Sequence, residues 1–453
     1  MIDLLILLGL VAAIVVVTAR WKLSPFLALL GAALLGTFLY RIPLEDSVTT
    51  VTEAFGSTLG NIGLVIIFGT MIGVILERSG AAISMADAII RVIGNRFPNL
   101  TMSLIGYVVS IPVFCDSGYV ILNSLRKAIT VRAGVSGVAT ATALMTGLFA
   151  THNLVPPTPG PLAAAEELGV TADLGLLIAI GLPVALVSAM AALLFASRLS
   201  HREFETLPAE REDDIEVQDY DQLRASYGRL PHPLVAFAPI GVPLLLITFG
   251  SVAQLPNQPF GAGAATDALV FLGTPVIALI LGLLIAALQL SGEGKLAQFN
   301  TQMTEAIRVA APILFITGAG ASFGAVLNAS PLTDYLAENI ATMGLGLGVP
   351  FLIAAALKTA QGSSTVAIIT SAALVSPLLG SLGLDSTEGS VLAVLAVGAG
   401  SMVVSHANDS FFWVVSQLSR IPVATAYRTL TVATAIQGLT TFLVVWLLSL
   451  VML

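Results

Sequence analysis

Ala150-Thr-His-Asn-Leu-Val-Pro-Pro-Thr-Pro-Gly-Pro-Leu162 is the stretch whose reading decides the fold. It follows an apolar, helix-like run and precedes a further hydrophobic half of the chain. Pro156, Pro157, Pro159 and Pro161 fall within six residues. Each removes a backbone donor and its ring clashes with the preceding turn, so the group does not fit a helix interior. At membrane depth, non-helical backbone survives only where it is buried in protein or lines a polar cavity. Thr151–Leu162 therefore reads as the unwound middle of a broken membrane helix, carrying His152, Asn153 and Thr158 into such a cavity. A second break, Ser405-His-Ala-Asn-Asp-Ser410, stands later in the chain.

Composition agrees with a membrane setting. Of 453 residues, 56% are hydrophobic and 10% charged, whereas soluble domains carry about 25% charged residues. Apolar runs of about 20 residues, each able to cross a hydrocarbon core of roughly 30 Å, recur along the chain. The alternating ten-residue pattern of a membrane β-barrel is absent. The expected fold class is an all-α polytopic membrane protein. Cys115 is the sole cysteine, which excludes an intramolecular disulfide and a cysteine-based metal site. The first apolar run, Ile2–Thr18, has Arg20 and Lys22 after it and no basic residue before it. A signal peptide has the reverse order, so the run reads as a first span with its N-terminus outside.

Candidate spans are 2–19, 24–40, 59–77, 174–197, 232–252, 267–290, 309–327 and 429–451. Four other apolar segments are interrupted. Residues 99–125 contain Pro112 and Cys115-Asp-Ser-Gly118, and residues 345–380 contain Lys358-Thr-Ala-Gln-Gly-Ser-Ser364. Both read as re-entrant hairpins. Residues 134–168 and 390–419 read as broken spans. In this topology all 19 basic residues except Arg41 (outside) and Lys358 (within the membrane) fall inside, as the positive-inside rule expects.

An internal repeat supports the same division. Phe68-Gly-Thr-Met-Ile-Gly-Val-Ile-Leu-Glu-Arg-Ser79 aligns with Ala319-Gly-Ala-Ser-Phe-Gly-Ala-Val-Leu-Asn-Ala-Ser330, and Gly69/Gly320, Gly73/Gly324, Leu76/Leu327 and Ser79/Ser330 share one offset. His152 and His406 fall in matching breaks. Ser79 lies inside and Ser330 outside, so the halves are expected to be inverted copies, an architecture of many secondary transporters. The domains are then a first repeat at 1–197, a cytoplasmic linker at 198–231 and a second repeat at 232–453.

The polar residues at the breaks are the candidate site. Asp116 lies at one hairpin tip beside Ser117 and Gly118, and a carboxylate at membrane depth usually marks a substrate or proton pathway. Lys358 lies at the other tip with Gln361, Ser363 and Ser364, as a cation for an anionic substrate; a snorkelling lysine is the plain alternative. His152, His406 and Asp409 join Asp116 as candidate proton carriers, histidine because its charge changes near neutral pH. The plain alternative is that each serves freed backbone groups. Asn153, Thr158, Asn408 and Ser410 add donors where half-helix N-termini would face an anion, although hydroxyls also bond back to their own helix. His201 and His232 lie in or beside the linker. Glu53, Glu77 and Asp87 lie near membrane edges, and Phe411, Phe412 and Trp413 read as packing. No residue spacing matches a common zinc pattern, and no phosphate-binding glycine loop occurs. No cofactor, metal, nucleic-acid partner or catalytic residue is expected.

Four blocks carry a family resemblance: Phe114-Cys-Asp-Ser-Gly-Tyr-Val-Ile-Leu-Asn123, Thr151–Leu162, Leu357-Lys-Thr-Ala-Gln-Gly-Ser-Ser-Thr-Val366 and Ser405-His-Ala-Asn-Asp-Ser-Phe-Phe-Trp413. In this order they resemble the gluconate:proton symporter family, over nearly the full chain. The resemblance implies a bacterial inner-membrane permease for gluconate or a related sugar acid, driven by the proton gradient. It also implies membership of the ion-transporter fold group, whose members are dimers that move a transport domain past a scaffold. The implied partners are a small organic anion, protons, lipid and a second copy of the chain. A close alternative is the same fold carrying glycerate or a dicarboxylate, with sodium. A Ser/His/Asp intramembrane hydrolase and a channel are the other classes; twin inverted halves give no advantage to a hydrolase.

Overall fold

The computed structural model describes residues 2–21, 23–94, 96–204, 222, 225, 227–228, 230–254, 260–261, 263–290, 294–331, 346–406 and 409–453. Most of the linker expected at 198–231 and residues 332–345 lie outside the described residues. Among the described residues the chain is helical and contains no strand.

The first part of the chain forms α1 (Ile2–Ala19), α2 (Pro25–Leu39), α3 (Leu44–Arg78), α4 (Ala81–Ile93), α5 (Pro98–Val109), α6 (Cys115–Ala133), α7 (Gly137–Leu154), α8 (Pro159–Glu167) and α9 (Leu174–Arg198). The second part forms α10 (Pro233–Ala253), α11 (Ala264–Gly273), α12 (Pro275–Ala287), α13 (Lys295–Asn328), α14 (Gly348–Gln361), α15 (Ser364–Val375), α16 (Thr387–Met402), α17 (Ser410–Leu418) and α18 (Val423–Met452). Five helical stretches among the described residues are long and apolar enough to span a membrane, or up to seven if each of two bent pairs counts as one span.

Several boundaries differ from the sequence reading, for identifiable reasons. The expected span 59–77 is the second half of α3, which starts at Leu44 with Glu45 and Asp46 in its first turn. Those acids lower the hydropathy of residues 44–58, yet they favour a helix N-terminus. The expected span 267–290 is two helices, α11 and α12, set at 72°. Pro275 opens α12, and a proline disfavours helical backbone at the residue before it. The amphipathic α4 follows Gly80, whose left-handed backbone (φ 74°) turns the chain. A Cβ at Gly80 would meet Leu230 and Tyr227 of the linker's end.

The proline cluster is more helical than its composition suggests. α7 continues through Thr151, His152 and Asn153 to Leu154, and the break is confined to residues 155–158. Pro159 and Pro161 occupy the first turn of α8, where backbone N–H groups have no intrahelical acceptor, so prolines there forfeit nothing.

The centre of the molecule is built on α7 and α16. Every residue of α7 from Val138 to Leu154 is buried, as is every residue of α16 from Gly389 to Met402. A helix apolar all round belongs in the interior. Each has a short helix against it: α5 packs on α7, and α14 packs on α16. Two glycines permit these approaches. A Cβ on Gly147 would collide with the Ser103 carbonyl of α5, and one on Gly400 would collide with the Phe351 carbonyl of α14. α5 has 12 residues and α14 has 14, so they are about 18 and 21 Å long at 1.5 Å per residue. Both fall short of a bilayer core of roughly 30 Å. The long helices α3 and α13 pack on each other beside this centre.

Candidate functional site

Four helices begin at interruptions of the chain: α6 at Cys115, α8 at Pro159, α15 at Ser364 and α17 at Ser410. Their N-termini present backbone N–H groups without intrahelical acceptors. α15 packs on α7, α8 and α14, and α6 packs on α17, which gathers the interruptions into one region.

Lys358, in the last turn of α14, is fully buried. Its ammonium donates to Asp409 Oδ2 at 2.6 Å and to the Gly362 carbonyl. The Phe149 ring centroid lies 5.6 Å from the same nitrogen. Gly362 has φ 87°, which ends α14 and turns its carbonyl back toward the lysine. Asp409 is the N-cap of α17 and takes the Phe411 N–H on Oδ1 at 3.0 Å. Its Oδ2 accepts from Lys358 and from the Ser405 hydroxyl. A buried carboxylate with three donors and a buried ammonium with two oxygens form a locally neutral pair, the condition under which burial of charge is tolerable.

Two further titratable groups stand within electrostatic reach of this pair. Asp116, in the first turn of α6, feels the charges of Asp409 and Lys358. The Ser410 hydroxyl reaches its Oδ1 at 3.5 Å, and the Cys115 thiol lies 3.6 Å from its Oδ2. His152, near the end of α7, feels the same two charges. Its Nε2 is 3.4 Å from the Thr365 hydroxyl of α15, Phe114 lies against its ring, and its Nδ1 is enclosed without a hydrogen-bond partner among the described residues.

The structure therefore brings Asp116, His152, Lys358, Asp409 and Ser410 together. The remaining expected residues lie elsewhere or are engaged locally. His406 donates Nε2–H to the Thr359 carbonyl of α14 at 3.0 Å. Asn153 bonds the Phe149 carbonyl at 2.7 Å and accepts from Ser401 at 3.3 Å, so its amide is engaged within the core. The Thr158 hydroxyl donates to the Val155 carbonyl at 2.5 Å, across the break. Ser363 caps α15 by accepting from the Val366 N–H at 3.3 Å. Ser364 is buried at the first position of that helix. Ser117 is half-buried beside Asp116. Gly118 gives α6 its close approach to Leu148 of α7. Asn408 and the Gln361 side chain lie outside the described residues.

Four contributors were not singled out from the sequence: Ser405, Phe149, Thr365 and the Gly362 carbonyl. Ser405 and Thr365 stand inside the quoted blocks, so proximity to the breaks was the available signal. Phe149 sits within an unbroken apolar run and carries no such signal. Among the described residues no group of three or more His, Cys, Asp or Glu side chains is arranged to hold a metal.

Buried charges thus gather where four helices are interrupted. The family model of the GntP family permeases matches residues 1–451. The chain belongs to the GntP permease family. Among its relatives is a gluconate permease of Pseudomonas aeruginosa, 34% identical, covering 98% of this chain and 96% of that one. A D-serine transporter of Escherichia coli is 31% identical over 97% of this chain and 96% of its own length. The crystal structure of the YdaH transporter of Alcanivorax borkumensis shares the fold, with TM-score 0.64 at 19% identity, covering 93% of this chain and 98% of that one. As a GntP-family permease the chain is a multi-pass membrane transport protein and not an enzyme.

Proposed function

We propose that this permease is a secondary transporter that carries gluconate or a related hydroxylated carboxylate, together with protons, into a bacterial cell across the inner membrane. The observation that carries this reading is the buried Lys358–Asp409 pair at the meeting of the helix interruptions. Empty, the pair is neutral. An anion that takes Lys358 leaves Asp409 with an uncompensated charge, and burial of such a charge costs several kcal/mol. A proton on Asp409 removes that cost. The protonated carboxyl keeps the Phe411 N–H on Oδ1 and turns its O–H toward the Ser405 hydroxyl, which frees Lys358 for the substrate carboxylate. The site is then neutral with both ligands or with neither, and charged with one. Translocation is favoured only in the neutral states, which is coupling. One proton per monovalent anion also avoids the electrical opposition of about 2.3 kcal/mol per charge per 100 mV that an anion alone would meet.

Asp116 and His152 are assigned as further proton carriers. Ser117, Gly118 and Ser410 are assigned to the substrate's hydroxyls through the α6 and α17 N-termini, with Asn153, Thr158, Gln361, Ser363, Ser364 and Asn408 as further lining. His406 is retained as a proton-coupling position on the strength of the matching breaks. The order of elements supports two inverted repeats, 1–197 and 232–453, joined by the linker 198–231. Long α3 corresponds to α13, short α5–α6 to α14–α15, broken α7–α8 to α16–α17, and α9 to α18. The short helices α5 and α14 support re-entrant hairpins at 99–125 and 345–380. In this account the hairpins and broken helices move together past a scaffold, in a homodimer with the N-terminus in the periplasm.

The D-serine transporter among the relatives favours a second reading, in which the substrate is another small hydroxylated carboxylate, with proton or sodium as the coupling ion. Labelled gluconate uptake into proteoliposomes under an inward proton gradient, in choline medium, decides between them. Overshoot above equilibrium that gluconate blocks and D-serine does not is the expected result. Uptake that appears only when sodium is restored refutes proton coupling.

A further inference from the structure

We propose that Glu167 is a proton-loading residue, taking protons from the α8 face of the molecule for the Lys358–Asp409 centre. The inference rests on the proton-coupled reading above. Two adjacent acids close α8, and their surroundings differ. Glu166 is satisfied as a carboxylate: Oε1 accepts from the Asn61 amide at 2.8 Å and Oε2 from the Thr171 hydroxyl at 2.6 Å. Glu167 has its Oε1 enclosed with no hydrogen-bond partner among the described residues. Its Oε2 points to Gly324 of α13, 3.8 Å from where a Cβ would stand, and the Ala373 carbonyl of α15 borders the same position. A carboxyl with one oxygen enclosed and unpartnered and the other beside a glycine and a carbonyl is suited to a neutral acid, since an unpaired buried charge is far more expensive than an unpaired hydroxyl.

The electrostatics are asymmetric in the same sense. The charged group acting on Glu167 is Glu166, of like sign, and among the described residues no cation is opposed to it. α15, packed on α8, has no titratable residue. On α13 the basic residues are Lys295 and Arg308. Arg308 is 16 residues from Gly324, which is about 24 Å along the helix. On α3 the nearest acid to Asn61 in sequence is Glu53, about 12 Å away along the helix. α7 contributes His152 at its own end, α16 has Glu388 in its first turn, and the short turn after α8 carries Asp173.

The position stands at the far end of α8 from the centre. A Cβ on Gly160, at the start of α8, would meet Ile368 and Thr365 of α15, and the Thr365 hydroxyl lies 3.4 Å from His152 Nε2. Glu167 lies seven residues further along α8, roughly 11 Å on. α8 and α15 thus run side by side from this half-buried acid to the level of His152 and the buried pair. A proton taken by Glu167 from outer water leaves it inward, toward His152 and Asp409, and the carboxylate is reloaded from outside.

The test compares wild type, Glu167→Gln and Glu166→Gln in proteoliposomes. With one proton per anion, an inward gradient of about one pH unit supports about tenfold gluconate accumulation. Glu167→Gln is expected to lose that accumulation while still exchanging labelled for unlabelled gluconate at equal pH. Glu166→Gln is expected to stay within about twofold of wild type. A second readout needs no substrate: the infrared C=O stretch of a protonated carboxyl at neutral pH, present in wild type and reduced in Glu167→Gln. Accumulation by Glu167→Gln equal to wild type, or an unchanged carboxyl band, overturns the inference. Failure of wild type itself to accumulate gluconate while the band difference persists removes the sugar-acid reading and leaves Glu167 as a proton-holding site.

Discussion

Asp409→Asn separates the two jobs given to the Lys358–Asp409 pair. The substitution keeps the shape of the side chain and removes its charge. Asp409 accepts from Lys358 and Ser405 on one oxygen and from the Phe411 N–H on the other. An asparagine has one acceptor and one donor at these positions. Its amide nitrogen must face either the Lys358 ammonium and Ser405 or the α17 N-terminus, so one orientation sets donor against donor and the other loses the helix cap. Either way Lys358 stays buried without a counter-charge, and breaking a buried pair from one side costs about 3–5 kcal/mol. Purified Asp409→Asn is therefore expected to unfold at a clearly lower temperature than wild type. Gluconate supplies the missing anion, so it is expected to stabilise the variant more than wild type at high pH. The pH dependence follows from the same argument. Wild-type gluconate binding takes up one proton, so its affinity is expected to weaken about tenfold per unit rise in pH. The variant needs no proton, so its affinity is expected to be flat with pH and its uphill accumulation lost. Thermal unfolding in detergent with and without gluconate, across pH, reads all of this. An Asp409→Asn protein that keeps the wild-type pH slope, or that accumulates gluconate, refutes the coupling mechanism.

Other consequences are simpler to read. Lys358→Ala and Asp116→Asn are each expected to abolish accumulation while the protein still inserts and is purified; near-normal uptake removes that residue from the site. Replacing both members of the pair, Lys358→Met with Asp409→Leu, is expected to recover most of the stability lost by Asp409→Asn, because a buried pair and its apolar isosteres differ by only about 1–4 kcal/mol; transport is expected to stay absent. Gly147→Val forces a side chain against the Ser103 carbonyl, so α5 must leave α7 and folded yield in membranes is expected to collapse. The Arg78–Glu305 pair, at 2.5 Å but largely exposed, is expected to change unfolding free energy by no more than about 1 kcal/mol when Glu305 becomes Gln.

Much of the fold was legible because hydropathy and proline are local signals. The apolar runs of α1, α2, α9, α10 and α18 stand close to their expected bounds, since nothing in those segments competes with a spanning helix. The proline cluster located the α7–α8 break but overstated its length, because first-turn prolines and interior prolines look alike until the helix start is known. The polar first half of α3 and the short α4 were invisible to a search for twenty-residue apolar runs. At the site, the charged residues were found because a Lys or Asp in an apolar stretch is conspicuous. The pairing of Lys358 with Asp409 was not legible, since it joins residues on either side of α15 and α16. Nor was the divergence of Glu166 and Glu167, adjacent and identical in type, which depends on Asn61, Thr171 and Gly324 brought in from other helices. Phe149 illustrates the limit in the other direction: an aromatic residue in an apolar helix gives no hint that an ammonium will lie above its ring.

The most direct test of the account is the proton movement that gluconate itself drives. Wild-type protein is reconstituted into sodium-free vesicles enclosing a pH-sensitive dye, and labelled gluconate is added outside at equal pH on both sides. The account predicts acidification of the lumen that keeps pace with the label, one proton per anion, and loss of both in Lys358→Ala. Label that enters with no change in luminal pH, or only after sodium is supplied, contradicts it.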